Sequence, residues 1–147
     1  MKLHTASEVI SFVRRLEGDS AAFYERLSQA YPDHRDLLLG FAKENGRNVT
    51  QIERAYYSVI SDAIEGAFAF NVETDDYAPA TGLGEGTALS AGLSKAAEVE
   101  RTIVKFYDDA VAQSKPLMAD VPRAFAAVAK RRGSRIATLE RIASPPR

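Results

Sequence analysis

Four residues with chemistry to offer interrupt otherwise apolar stripes: Glu17, Glu100, Arg132 and Arg135. A helix packed in a bundle presents residues spaced alternately three and four apart. One such stripe reads Val13, Glu17, Ser20, Tyr24, Leu27, and a second Leu38, Phe41, Asn45, Asn48, Ile52, Ala55, Val59. A third reads Ala96, Glu100, Ile103, Tyr107, and a fourth Phe125, Val128, Arg132, Arg135, Leu139, Ile142. Buried carboxylates can ligate a metal or pair with a cation. Guanidiniums stay protonated and only donate. A charge in a core is costly unless it is paired or ligated, so these positions demand partners.

The polar positions fall at matching depths. Glu17 lies 15 residues before Pro32, and Asn45 and Asn48 lie 13 and 16 after it. Glu100 lies 16 before Pro116, and Arg132 and Arg135 lie 16 and 19 after it. At roughly 1.5 Å rise per residue, the six groups are expected to share one layer. The two halves also repeat. Glu17 and Tyr24 are seven apart, as are Glu100 and Tyr107, and each tyrosine follows a phenylalanine, Phe23 or Phe106. The run from Ala42 to Asn48 aligns with that from Ala129 to Arg135, with Gly46 and Gly133 at the same place. A mid-helix glycine costs roughly 1 kcal/mol against alanine, which predicts close backbone approach at both.

The elements that must position these groups are legible from their boundaries. Thr5 and Glu8 form a capping box for a first helix, which Pro32 ends. Asp33 is expected to cap a second helix that carries its apolar positions as far as Val59 and Ile60. From about Asn71 to Ala91 the periodicity fails. The Gly- and Asp-rich stretch Thr74 to Gly86, with Pro79, reads as a long surface connection. A third helix is predicted over Leu93 to Ser114, with Pro116 just past it. Asp120 and Pro122 open a fourth, which runs to Ala143 before Pro145-Pro146. No stretch shows convincing strand alternation. The expected fold is all-α: one domain over 1–147, a four-helix bundle of two antiparallel helix pairs joined by a long crossover.

Composition narrows the function. The 147 residues include no cysteine, so disulfides, thiolate metal sites and cysteine nucleophiles are excluded. A net charge of -1 gives no field to attract nucleic acid or an anionic membrane. No apolar run is long enough to span a bilayer, and Met1 to Ser11 does not read as a secretory signal, so a soluble, cytoplasmic protein is expected. His4 and His34 fall near helix starts and are expected at the surface, leaving no core histidine for acid–base work. The run Gly82 to Gly86 lacks the strand and Lys-Ser/Thr of a phosphate loop and reads as flexible crossover. Lys130 and Arg131 are placed outside the bundle and Arg132 and Arg135 inside, which argues against a nucleic-acid patch. Tyr56, Tyr57, Phe68 and Phe70 exceed what one inner face needs, so some are expected on an outer face that meets a partner helix or, through those aromatics, a second copy in a homodimer.

With these residues in hand, the chain resembles the rubrerythrin-like branch of the ferritin-like superfamily over nearly its whole length. In that family the first and third helices each give one Glu seven residues before a Tyr, and the second and fourth each give Glu-x-x-His. These side chains bind two iron ions. Glu17 with Tyr24 and Glu100 with Tyr107 match the single-Glu motifs. In the places of the other two motifs stand Asn45 and Asn48, then Arg132 and Arg135, so the resemblance implies a degenerate di-iron site.

Iron needs anionic carboxylates and neutral imidazoles, and arginine has no lone pair to give. The expectation is therefore that no metal binds, and that the arginines fill the metals' space in forked salt bridges to Glu17 and Glu100. Asn45 and Asn48 would complete the hydrogen bonds, and Tyr24 and Tyr107 would pack behind with satisfied hydroxyls. A structural, interaction or regulatory role follows, with no catalytic residue assigned. One alternative is an iron-dependent oxidoreductase or peroxide-handling protein with a rearranged site of Glu17, Glu100 and Glu44. Glu44 otherwise reads as a solvated helix charge. The other alternative is a binder of a small anion held by Arg132 and Arg135.

Overall fold

A computed structural model describes residues 1–59, 68–116 and 120–144 of the chain. Among them are four long helices and one two-stranded sheet: β1 (Lys2–Thr5), α1 (Ala6–Ala30), α2 (Arg35–Val59), β2 (Phe68–Glu73), α3 (Leu89–Gln113) and α4 (Asp120–Ala143). Ile60, the side chains of Val59 and Phe68, and Pro145-Pro146 lie outside the described residues. No helix among the described residues is long and apolar enough to cross a membrane.

The capping box forms as the sequence predicts. The Glu8 amide donates to Thr5 Oγ1 at 3.1 Å and the Thr5 amide to Glu8 Oε1 at 3.0 Å, which satisfies two otherwise orphaned donors. α1 stops at Tyr31, whose amide still reaches Leu27 O, because Pro32 cannot continue the ladder. Residues Pro32–His34 form a 3-10 turn that leads directly into α2. Asp33, expected to cap α2, sits inside that turn, and Asp36 supplies the acidic group of the first turn instead.

The region expected to be one surface connection is partly ordered as sheet and turn. β1 pairs antiparallel with β2 in the register Lys2↔Glu73, Leu3↔Val72 and Thr5↔Phe68, with an irregularity between Leu3 and Thr5. Leu3 and Val72 are buried and join the main core. On the far edge of β2, the Gln113 side chain receives the Asn71 amide at 2.7 Å and donates to Asn71 O at 3.2 Å, so it mimics a third strand. Thr74–Tyr77 forms a 3-10 turn whose Tyr77 ring packs edge-on against Phe106, which in turn meets Phe12 edge-on. α3 begins at Leu89, four residues before the expected start at Leu93.

The crossover runs the length of the bundle along α1 and α3. It starts beside Thr5, is held by Arg26 Nη2 at Thr81 O (2.9 Å), and ends where the Tyr31 hydroxyl donates to Thr87 O (2.9 Å) and Ala88 O (3.2 Å). The short turn makes α1 and α2 antiparallel. Side-chain bonds pair Tyr24 with Glu100 and Glu17 with Tyr107, so α3 runs antiparallel to α1. Arg135 meets Glu44 and Arg131 meets Asn48 and Gln51, so α4 runs antiparallel to α2.

One expectation about placement is corrected. Gly46 and Gly133 mediate no close approach, since a Cβ built on either meets nothing within 4 Å. The tight glycine is Gly92, where a Cβ would lie 2.0 Å from the Tyr31 hydroxyl. Of the four aromatics that exceed one inner face, Tyr57 is exposed, whereas Tyr56 and Phe70 are buried within the chain. His34 is half-buried in the turn. His4, also half-buried, belongs to β1, with Nδ1 3.4 Å from Phe70 O.

Candidate functional site: a buried ion cluster

The sequence-predicted layer exists. Glu17, Glu100, Arg132, Arg135, Asn45 and Asn48 are all buried, and no more than 2% of any of them is exposed. Each comes from a different face-inward position of its helix, so four helices converge on one point.

The Arg132 guanidinium lies between the two carboxylates. Its Nε and Nη2 fork onto Glu17 Oε1 (3.1 Å) and Oε2 (2.6 Å). Its Nη1 reaches Glu100 Oε1 (2.7 Å) and Oε2 (2.8 Å), and Nη2 also donates to Ser20 Oγ at 2.9 Å. Arg135 extends the cluster outward. It donates through Nη1 to Glu100 Oε1 at 3.2 Å and through Nη2 to Glu44 Oε1 at 2.8 Å. It also lies over the faces of Phe41 and Tyr24, 4.9 and 5.6 Å from their centroids, where the ring quadrupoles add attraction.

The two tyrosines cross between the halves. Tyr24 on α1 donates to Glu100 on α3 at 2.5 Å, and Tyr107 on α3 donates to Glu17 on α1 at 2.6 Å. Burial pushes both hydroxyls well above the usual phenol value, and the facing carboxylates push further, so both remain donors. Burial also drives the Glu100 carboxyl up, but Arg132, Arg135 and the Tyr24 hydroxyl outweigh it and hold the group below its usual range. Burial pulls Arg132 down, yet Glu100 and Glu17 keep it charged.

Asn45 and Asn48 take different roles. Asn45 Nδ2 donates to Glu17 O (3.0 Å) and Ser20 Oγ (2.6 Å), which fixes the amide; its Oδ1 is buried without a hydrogen-bond partner among the described residues. Asn48 stands 3.5 Å from Glu17 Oε2 and accepts from Arg131 through Oδ1 at 3.1 Å.

Two members are placed differently from the sequence expectation. Arg131, placed outside, is half-buried and bonds Asn48 and Gln51. Glu44, read as a solvated charge or a stray ligand, is half-buried and carries Arg135. The missed signal is a second stripe on the flank of α2: Glu44, Asn48 and Gln51 recur at four and three, and face Arg135 and Arg131 four apart on α4. With these included, the layer holds three carboxylates (Glu17, Glu44, Glu100) and three guanidiniums: Arg132 and Arg135 pair with the carboxylates, and Arg131 bonds the amides of Asn48 and Gln51.

The donor set does not fit the iron pair implied by the resemblance. Both inward carboxylates are saturated by guanidinium and phenol donors, Glu44 is turned to Arg135, and no imidazole reaches the layer. Among the described residues no group of three or more His, Cys, Asp or Glu could hold a metal ion. A small anion would fare no better, because every nitrogen of Arg132 already donates to the chain. The chain matches no family model, no curated protein and no solved structure.

Proposed function

We propose that this chain is a ferritin-like bundle of the rubrerythrin-like type whose core cation is its own guanidinium, and that it serves a structural, interaction or regulatory role. The observation that carries the reading is Arg132 bonded at once to Glu17 and Glu100. Where two carboxylates on facing helices would neutralise metal ions, they neutralise an arginine. The order of helices supports the family assignment, since each of α1 and α2 has an antiparallel neighbour in the second half and the crossover runs end to end. The reciprocal Tyr–Glu bonds support the matched halves that suggested the resemblance.

Among the described residues the core layer offers no open coordination position, which favours a role carried by shape and surface. Metal analysis of protein produced with added iron and manganese tests the reading. Expected is far less than one ion per chain, and no faster peroxide-driven oxidation of ferrous iron than in buffer. About two ions per chain, lost in Glu17→Ala with Glu100→Ala, would restore the oxidoreductase alternative.

A further inference from the structure

Charge on this molecule is sorted by side. Forty residues, from Ala55 to Ser94, contain no Lys or Arg and six acids. Three of those acids, Asp75, Asp76 and Glu85, are exposed on the crossover, which packs along α1 and α3, and no ion pair involves them among the described residues. Of the cations near this strip, Arg26 donates to Thr81 O, Lys105 lies over the Tyr77 ring and Arg15 over the Phe12 ring, while the N-terminal ammonium bonds Glu73 and Thr74 beside Asp75 and offsets part of its charge. Tyr77 in turn donates to Asp109 at 2.6 Å, and Asp76 also acts on its hydroxyl.

The outward face of α2 is the reverse. Lys43, Arg47, Thr50 and Arg54 recur at helical spacing and are all exposed, as is Gly46 among them. No ion pair holds Lys43, Arg47 or Arg54 among the described residues, and the space above Gly46 is open. The stripe continues into Tyr57, which is 55% exposed, while Leu89, 37% exposed, follows the acidic crossover. Both faces therefore pair unmatched charge with one uncovered large apolar side chain.

We infer that the α2 face of one copy docks on the crossover of a second copy. The two patches lie on opposite sides of the bundle, because α2 closes against α1 and α4 whereas the crossover covers α1 and α3. The contact is thus heterologous, front to back, and nothing in it is self-complementary across a two-fold axis. A chain whose formal charge is only -1 repels its copies weakly, so the opposed patches set the sign of the encounter. This goes beyond the reading of the core cluster and does not depend on it.

Sedimentation velocity of the full chain over a concentration series tests it. The average mass should rise with concentration in about 20 mM salt and weaken by at least about tenfold in apparent affinity in about 300 mM, where screening cuts such contacts. The triple variant Lys43→Glu/Arg47→Glu/Arg54→Glu should stay monomeric, and so should Asp75→Lys/Asp76→Lys/Glu85→Lys. An equal mixture of the two should associate again, which shows that each is folded and that the faces meet each other. A monomer at every concentration in low salt overturns the inference. So does association that salt leaves unchanged, that either variant retains alone, or that the mixture fails to regain.

Discussion

Arg132 makes five hydrogen bonds to three side chains, and nothing else in the layer could take its place. Replacing it with leucine leaves Glu17 and Glu100 buried together without a cation between them. Arg132→Leu should therefore cost roughly 3–5 kcal/mol in urea unfolding, the usual range for stranding a buried charge. Adding Glu17→Gln and Glu100→Gln should recover much of that loss, because neutral amides can share the tyrosine hydroxyls. If the triple variant is as unstable as the single one, the cost lies in lost packing and not in charge. The inward arginines could be foreseen because they interrupt an apolar stripe. Glu44 and Arg131 are harder to place, because the flank stripe of Glu44, Asn48 and Gln51 looks the same on a helical wheel whether the neighbouring helix covers it or not. Only the closeness of α2 to α4 decides that.

Among the elements, the glycines carry a comparison. Gly92 lies under the Tyr31 ring, and a methyl there would force Tyr31 off the carbonyls of Thr87 and Ala88 that it holds at the start of α3. Gly92→Ala should destabilise by about 1–3 kcal/mol, as overpacking does. Gly46→Ala and Gly133→Ala, with open space above them, should each stabilise by up to about 1 kcal/mol through helix propensity. Thermal melting of the three variants separates the cases, and a raised melting temperature for Gly92→Ala would remove Tyr31 as a lock. Helix boundaries set by local chemistry, such as the Thr5 and Glu8 cap and the Asp120 start of α4, were readable in the sequence. The sheet was not. β1 has four residues, and it exists only because Lys2 finds Glu73 across the chain, a pairing that no local period announces. α3 likewise begins early because Tyr31 and the crossover anchor a first turn that lacks any side-chain cap.

For the molecule as a whole, the cluster ties stability to pH. The Glu100 carboxyl is held below its ordinary value of 4.5, so its ionised form favours the folded state. That contribution is complete above the unfolded value and is lost as pH falls through the lower folded one. Unfolding free energy should stay nearly level from about pH 7 to about pH 5 and drop steeply below about pH 4.5, with Glu100→Gln giving a shallower acid slope. An unchanged slope in that variant would place the acid sensitivity outside the core.

The crossed tyrosines and the arginines have one more consequence, for how the chain assembles. In this layer the first hairpin brings two bare negative charges, Glu17 and Glu44, while the second brings three arginines against Glu100 alone. Neither hairpin can neutralise itself, and each owns the phenol that the other's glutamate requires. Every half-formed molecule thus leaves unmet charge at its open seam, and that imbalance is resolved only when the halves close on each other in the native register. A closure in the wrong register would leave ionised groups buried without partners, a penalty that favours the native pairing of the two hairpins.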